Sequence, residues 1–122
     1  MSTLVTSNIS DGTTSVGTGY VVNGSAKAYG LYVLIGTAVL EESLNIASLV
    51  DSGLGYATLN LTSSLASTGC AITAGNATGS GQYLCSNVSQ ASVSSYIHLT
   101  QDPATDTWYD TAMHSHVMGD LA

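Results

Sequence analysis

Positive charge is almost missing from this chain: Lys27 is its only basic residue, against eight carboxylates and a formal net charge of −7. Neutralising a nucleic-acid backbone takes several Lys or Arg side chains, so binding to DNA or RNA is excluded. Anionic membrane surfaces are disfavoured for the same reason. Charge of either sign is scarce, at 7% of residues where an average soluble domain has about 25%. Such a surface must hold water through hydroxyls and amides, and Ser and Thr supply about a quarter of the chain. That suits a protein that sits in an assembly or meets neutral glycans through hydrogen bonds.

Phe is absent, Pro occurs once, and no long apolar run exists. The longest apolar stretch, residues 28–40, is interrupted by Gly30, Gly36 and Thr37, short of the ~20 residues a spanning helix needs. Membrane insertion is therefore not expected. The opening Met1-Ser2-Thr3-Leu4 has neither a basic n-region nor an apolar h-region, so synthesis in a cytoplasm is expected. On that ground the N-x-Ser/Thr triplets at Asn8, Asn23, Asn60, Asn76 and Asn87 read as products of a Ser/Thr-rich composition and not as glycosylation sites. Cysteine is scarce too. Cys70 and Cys85 are too few for a metal cluster and lack C-x-x-C spacing. Free thiols are expected in a reducing compartment, with cross-strand adjacency left open because both stand in strand-like runs around a Gly-rich connection.

What the chain does contain is strand and turn. Few Glu and Lys, with many β-branched residues and Tyr, favour strands over helices. Leu4-Val5-Thr6 predicts a short first strand, and Gly12, Gly17 and Gly19 a loop before a strand at Tyr20-Val21-Val22. Asn23-Gly24 is a turn signal, since both residues tolerate positive φ, and a long strand follows from Lys27 to Ile35. Gly36-Thr37 turns the chain into Ala38-Val39-Leu40. A strand through Leu44, Ile46 and Leu49-Val50 ends at the turn of residues 51–55. Leu40 to Leu44 has a local helical look but is too short to stand alone. Alternation is clearest around Tyr56, Leu59 and Leu61. Further strands are expected at Cys70 to Ala74, Tyr83 to Cys85, Ser94 to Leu99, and from Trp108 or Thr111 to Met118. Turns are expected over residues 75–81 and at Asp102-Pro103-Ala104-Thr105-Asp106.

This rhythm predicts an all-β fold: an antiparallel β-sandwich, jelly-roll-like or Ig-like, as a single domain over residues 1–122. Residues 1–19 form a candidate extended arm for docking to subunits or a particle. Native sheet edges are protected by charge, by Pro or by covering elements. This chain has few such devices, so a homo-oligomer follows.

Candidate chemistry is sparse. No G-x-S-x-G elbow exists around Gly79-Ser80-Gly81. Glu41-Glu42 places its carboxylates on opposite faces of a strand, the wrong arrangement for an acid/base pair. No catalytic residue is assigned, and no enzyme activity or cofactor is expected. His114-Ser115-His116 puts two imidazoles on one strand face, and three chains on an axis would offer six ring nitrogens to a transition metal. Nothing else marks this strand as axial, so no metal is assigned. Asp102, Asp106 and Asp110 lack the Gly and terminal Glu of a calcium loop and read as solvated turn carboxylates. Tyr29, Tyr32, Tyr56 and Tyr83 fall in strand patterns as core or interface residues. Trp108 and Tyr109, in a loop beside Asp106 and Asp110, are the candidate binding residues, as rings that stack on sugar faces.

Three stretches frame the chain. Near the start stands Asn8-Ile9-Ser10-Asp11-Gly12-Thr13-Thr14, running on through Asn23-Gly24-Ser25-Ala26-Lys27-Ala28-Tyr29. Mid-chain lies Asp51-Ser52-Gly53-Leu54-Gly55-Tyr56, and the end is Gly119-Asp120-Leu121-Ala122. The arrangement resembles small β-rich virion proteins of tailed bacteriophages, of the tail-fibre or fibre-like kind. Those open on N-I-S-D-G-T-T, continue through N-G-S-A-K-A-W, carry a D-N-G-T-G-Y-type turn and close on G-D-L-A. Tyr29 stands where Trp is usual, Glu41-Glu42 replaces a usual basic residue, and residues 63–112 match only loosely. The resemblance implies a virion structural protein made in a host bacterial cytoplasm, a fibre-like appendage subunit for assembly and host-surface attachment. Its partners would be sister chains, with a trimer as the expected form, other virion proteins and a host-surface glycan. The alternative is a capsid decoration protein that stabilises the head; a glycan-active enzyme ranks behind both.

Overall fold

The computed structural model describes residues 5–76 and 84–122. The fold is an antiparallel β-sandwich. Its smaller sheet holds β3 (Ala26–Val33), β4 (Val39–Leu44), β7 (Ala71–Asn76) and β11 (Ala112–Met118), in the order β4-β3-β11-β7. The larger sheet holds β5 (Ile46–Gly53), β6 (Tyr56–Leu61), β8 (Cys85–Ser92), β9 (Ser95–Asp102) and the two-residue β10 (Thr107–Trp108). Here β9 is central: β6 and β10 lie along one side of it and β8 along the other, with β5 outside β6.

Alternation decides which side chains enter the space between the sheets. In β6 it buries Ala57, Leu59 and Leu61; in β9 Tyr96, His98 and Thr100; in β11 Met113, Ser115 and Val117. Ala28, Tyr32, Leu34, Ile46 and Leu65 complete the buried apolar set. At about 25 cal/mol per Å² of apolar surface removed from water, these residues supply the main stabilising contribution.

The chain passes between layers four times, and two of these crossings bear on the expected strands. Asn45 alone links β4 to β5, in the left-handed conformation at φ 57, which Asn tolerates better than most residues. Its side chain fixes the corner: Nδ2 donates to the carbonyls of Lys27 and Ser63, at 3.0 Å each, and Oδ1 accepts from Ser63 N at 2.7 Å. The expected continuous strand through Leu44 and Ile46 is therefore two strands in different sheets. The second, residues 109–111, decides between the two expected starts of the last strand: β11 begins next to Thr111, and Trp108 belongs to β10 in the other sheet.

The N-terminal region departs most from expectation. The described residues of the expected strand Leu4-Val5-Thr6 are not in a strand. The expected loop instead forms a hairpin of β1 (Asn8–Ser10) and β2 (Ser15–Gly17) that pairs with neither main sheet. Asp11 organises its turn. Its carboxylate accepts from Thr14 N at 2.7 Å and Thr13 N at 2.9 Å, and those bonds hold its pKa below the ordinary carboxylate value. The expected strand and turn over Tyr20 to Gly24 are a short helix, α1 (Thr18–Gly24). A strand there would need a neighbour to pair with, whereas a helix satisfies its own backbone. Lys27 secures the end: its ammonium donates to the Val22 carbonyl and to Ser25 Oγ, the favoured placement of a cation at a helix C-terminus. The only cation of the chain is thus buried and committed to structure. The residue 36–37 and 51–55 turns form where expected, with Gly36, Gly53 and Gly55 at positive φ. The expected turn over residues 75–81 and the strand start at Tyr83 fall largely outside the described residues.

Candidate functional site

Trp108 sits on the outer face of the larger sheet. Its strand, β10, pairs with the end of β9, with Trp108 opposite Gln101. Tyr56, the first residue of β6, lies opposite Leu99 two residues earlier. The β10 segment therefore continues the line of β6, and the Tyr56 and Trp108 rings meet at 4.7 Å with a 50° tilt. Both are half-buried. Tyr109 lies beyond β10, its backbone held by Thr100: Tyr109 N donates to Thr100 O at 3.3 Å, and Thr100 Oγ1 donates to Tyr109 O at 2.6 Å. The ring partner of Trp108 is thus Tyr56, which sequence reasoning placed among core or interface residues. The missed signal was the register of β6 and β10 along one side of β9.

Gly55 makes this junction possible. It lies at φ 73, and a Cβ there would stand 2.6 Å from Thr100 O and 2.9 Å from Tyr109 N. Its N–H donates to Asp110 Oδ1 at 2.8 Å, and its carbonyl accepts from Thr100 N at 2.9 Å.

The face around the two rings has a distinctive chemistry. Alternation and register bring Ser48, Val50, Thr58, Asn60, Ser95, Ile97, Leu99, Gln101, Asn87 and Ser89 to this side of the sheet. None of them carries a charge, although the chain as a whole is at −7. The surface is rich in hydroxyls and amides and bears aromatic rings at one end, where Asp106 reaches it through Gln101. Uncharged hydrogen-bonding groups beside an aromatic face suit a neutral polyhydroxylated ligand.

The other sequence candidates resolve separately. His114 and His116 are exposed and share the outer face of the smaller sheet, as alternation requires. His116 meets Tyr29 edge-on at 6.3 Å, and His114 lies over Gly75. Asp102 caps its own turn through Ala104 N at 2.8 Å, Asp106 accepts from Gln101 Nε2, and Asp110 holds Gly55. No group of three or more potential metal ligands occurs among the described residues. Cys70 and Cys85 are both free thiols. Cys70 Sγ donates to Gln90 Oε1 at 2.8 Å, and burial raises its pKa. Gln90 stands five residues along β8 from Cys85, about 16 Å of extended strand, whereas a disulfide needs Cα atoms within about 7 Å. Cross-strand adjacency is closed off.

Sequence reasoning did not single out His98. It is fully buried between the sheets, with Nδ1 2.6 Å from Tyr32 Oη and Nε2 3.1 Å from Ser86 Oγ. Tyr32 also reaches Ser115 Oγ at 3.3 Å, and Tyr96 Oη lies 2.7 Å from the same oxygen. Ser86 continues the chain to Asn76 Oδ1 at 3.1 Å. Burial, and secondarily the charge of His114, lower the His98 pKa to about 4. Burial raises Tyr96 to about 12 and Tyr32 further still. The network joins β3, β7, β8, β9 and β11, and His98 and Ser115 are fully buried within it. Its chemistry is cohesion between layers.

No family model matches this chain, and neither a curated protein nor a solved structure matches it. The functional reading rests on the residues themselves.

Proposed function

We propose that this chain is a bacteriophage virion structural protein, a fibre-like appendage subunit that meets neutral host-surface glycans through the Tyr56–Trp108 face. The observation that carries the reading is that face: its strand side chains are uncharged and rich in hydroxyls and amides, with an aromatic pair at one end and Asp106 touching it through Gln101, in a chain of net charge −7. The framing motifs and the β-sandwich support the same reading. Capsid decoration is the second reading. It is favoured by the exposed apolar side chains of the N-terminal segment, Ile9, Val16, Val21 and Val22, which neighbouring virion proteins would cover.

The test is a particle carrying Trp108→Ala. Loss of one stacking ring costs about 1 kcal/mol, roughly fivefold in adsorption per site and more where several copies act together. The particle should incorporate the protein normally and adsorb poorly. Normal incorporation with normal adsorption would refute glycan contact here, and loss of the protein from the particle would make Trp108 a structural cap. Antibodies against the chain should label intact virions; unlabelled virions would refute the virion assignment itself.

A further inference from the structure

Edge protection is unevenly distributed around this sandwich. On one side, β4 carries Glu41 and Glu42 and has a register break in its pairing with β3. Beside it, β5 carries Asp51 and has two register breaks against β6. Charge and bulges are the devices that keep a native edge from accepting another strand. The opposite side largely lacks them. β7 and β8 contain no charged residue and no Pro. β7 pairs with β11 without a break, and β8 leaves register only at its end, between Gln90 and Ser92.

Among the described residues, β7 pairs only with β11 and β8 only with β9. The two edges are tied across the sandwich. Asn76 Nδ2 donates to Leu84 O at 3.1 Å, Ser86 Oγ to Asn76 Oδ1 at 3.1 Å, and Cys70 Sγ to Gln90 Oε1 at 2.8 Å. The side is a braced, two-layered edge.

Charge then selects the occupant. The eight carboxylates fall on the N-terminal hairpin, β4, β5, the β9–β10 turn, its exit and the C-terminal end, and none on β7 or β8. Two copies at −7 repel each other, and Lys27 is buried on Val22 and Ser25, so it offers no cation to a partner. Self-association therefore needs a surface free of carboxylates that gains backbone hydrogen bonds in place of ion pairs. We propose that the β7–β8 side is that surface: β8 of one copy pairs antiparallel with β8 of a second about a two-fold axis, extending the larger sheet through both. The contact is isologous, the same strand meeting itself. It predicts two chains where the family resemblance implies three, and it is independent of the glycan reading, which concerns the outer face.

Sedimentation equilibrium at micromolar concentration should give twice the 12.4 kDa chain mass. Amide exchange should show protection of β8 that rises with protein concentration, with β5 unchanged. Ser89, exposed near the middle of β8, supplies the variants. Both Ser89→Lys and Ser89→Glu should weaken the dimer at least tenfold, because a like charge of either sign meets its own copy across the axis. Ala47→Lys on exposed β5 should leave the dimer intact. A monomeric or trimeric wild type, concentration-independent exchange of β8, or Ser89 variants that dimerise normally would each overturn the proposal. Should a Ser89 variant fail to fold, the exchange measurement on wild type decides alone.

Discussion

Lowering the pH from 7 to 4.5 should weaken this fold through His98. A neutral imidazole suits the site, since one ring nitrogen donates and the other accepts toward Tyr32 and Ser86. A protonated ring would have to donate at both, with no carboxylate among the network partners to balance it. Burial first, and His114 second, lower the folded pKa from 6.5 to about 4. The unfolded chain then takes up the proton before the folded one. Stability is full above about pH 6.5 and is lost as the pH falls toward 4. Integrated from pH 7 to 4.5, a displacement of this size removes about 2.5 kcal/mol, a large share of the 5–15 kcal/mol typical of a small domain. With a urea m-value of about 1.5 kcal/mol per molar, the midpoint should fall by roughly 1.5 M. Urea melts followed by circular dichroism across this range measure it. His98→Gln should start less stable at pH 7 and then change little. A wild-type midpoint that stays level or rises would refute the reasoning, as would ring-proton NMR showing His98 titrating near 6.5 in the folded protein.

At the alkaline end, burial raises Tyr96 to about 12 and Tyr32 beyond it, so stability should be full below pH 10 and fall between 10 and 12; residue-resolved NMR should show the Tyr32 and Tyr96 rings ionising only with unfolding, and a phenolate at either residue in a still-folded protein would contradict this. Gly55→Ala combines positive φ with contacts under 3 Å to Thr100 O and Tyr109 N and should cost about 2–4 kcal/mol, lowering the melting temperature by roughly 10 °C; a change within 2 °C would show that the junction yields easily. Under denaturing, non-reducing conditions both Cys70 and Cys85 should label with a thiol reagent without prior reduction, and a protected pair would reveal a disulfide that the strand geometry disallows.

Much of the sandwich was legible because alternation is a local property. Leu59 and Leu61, alternating with Thr58 and Asn60, declare the buried face of β6 without knowledge of its neighbours, and the turns at Gly36 and Gly55 announce themselves through residues that accept positive φ; β9 does not declare its face, since Ile97 and Leu99 lie outside and His98 and Thr100 inside. Sheet membership was not legible. Leu44-Asn45-Ile46 reads as one strand because nothing local shows that Asn45 turns a corner; the corner exists only when Lys27 O and Ser63 O come within reach of its amide. The helix at Thr18–Gly24 was hidden for the same reason, since its end is secured by a lysine outside it. At the candidate site, Trp108 could be read from sequence as an aromatic near a turn. Its partnership with Tyr56, 52 positions earlier, depends on β9 holding both strands along one side.

The buried network clarifies why a chain so rich in hydroxyls still forms a defined core. Ser115 is buried between two tyrosines, a position where an unpaired hydroxyl would cost about 1–3 kcal/mol. The penalty is avoided only in the arrangement that places β11 opposite β9 and β3, with Ser86 closing the far end on His98. A slip of one residue in β11 would send Ser115 to the outer face and bring His114 or His116 inward, leaving Tyr32 and Tyr96 without this acceptor. Apolar packing draws the sheets together, but the hydroxyl contacts penalise alternative registers. Charge is kept off the network and off the strand side chains of the outer face above it. The same economy that leaves Lys27 as the only cation leaves the larger sheet with one face joined by neutral hydrogen bonds and the other offering the same chemistry outward.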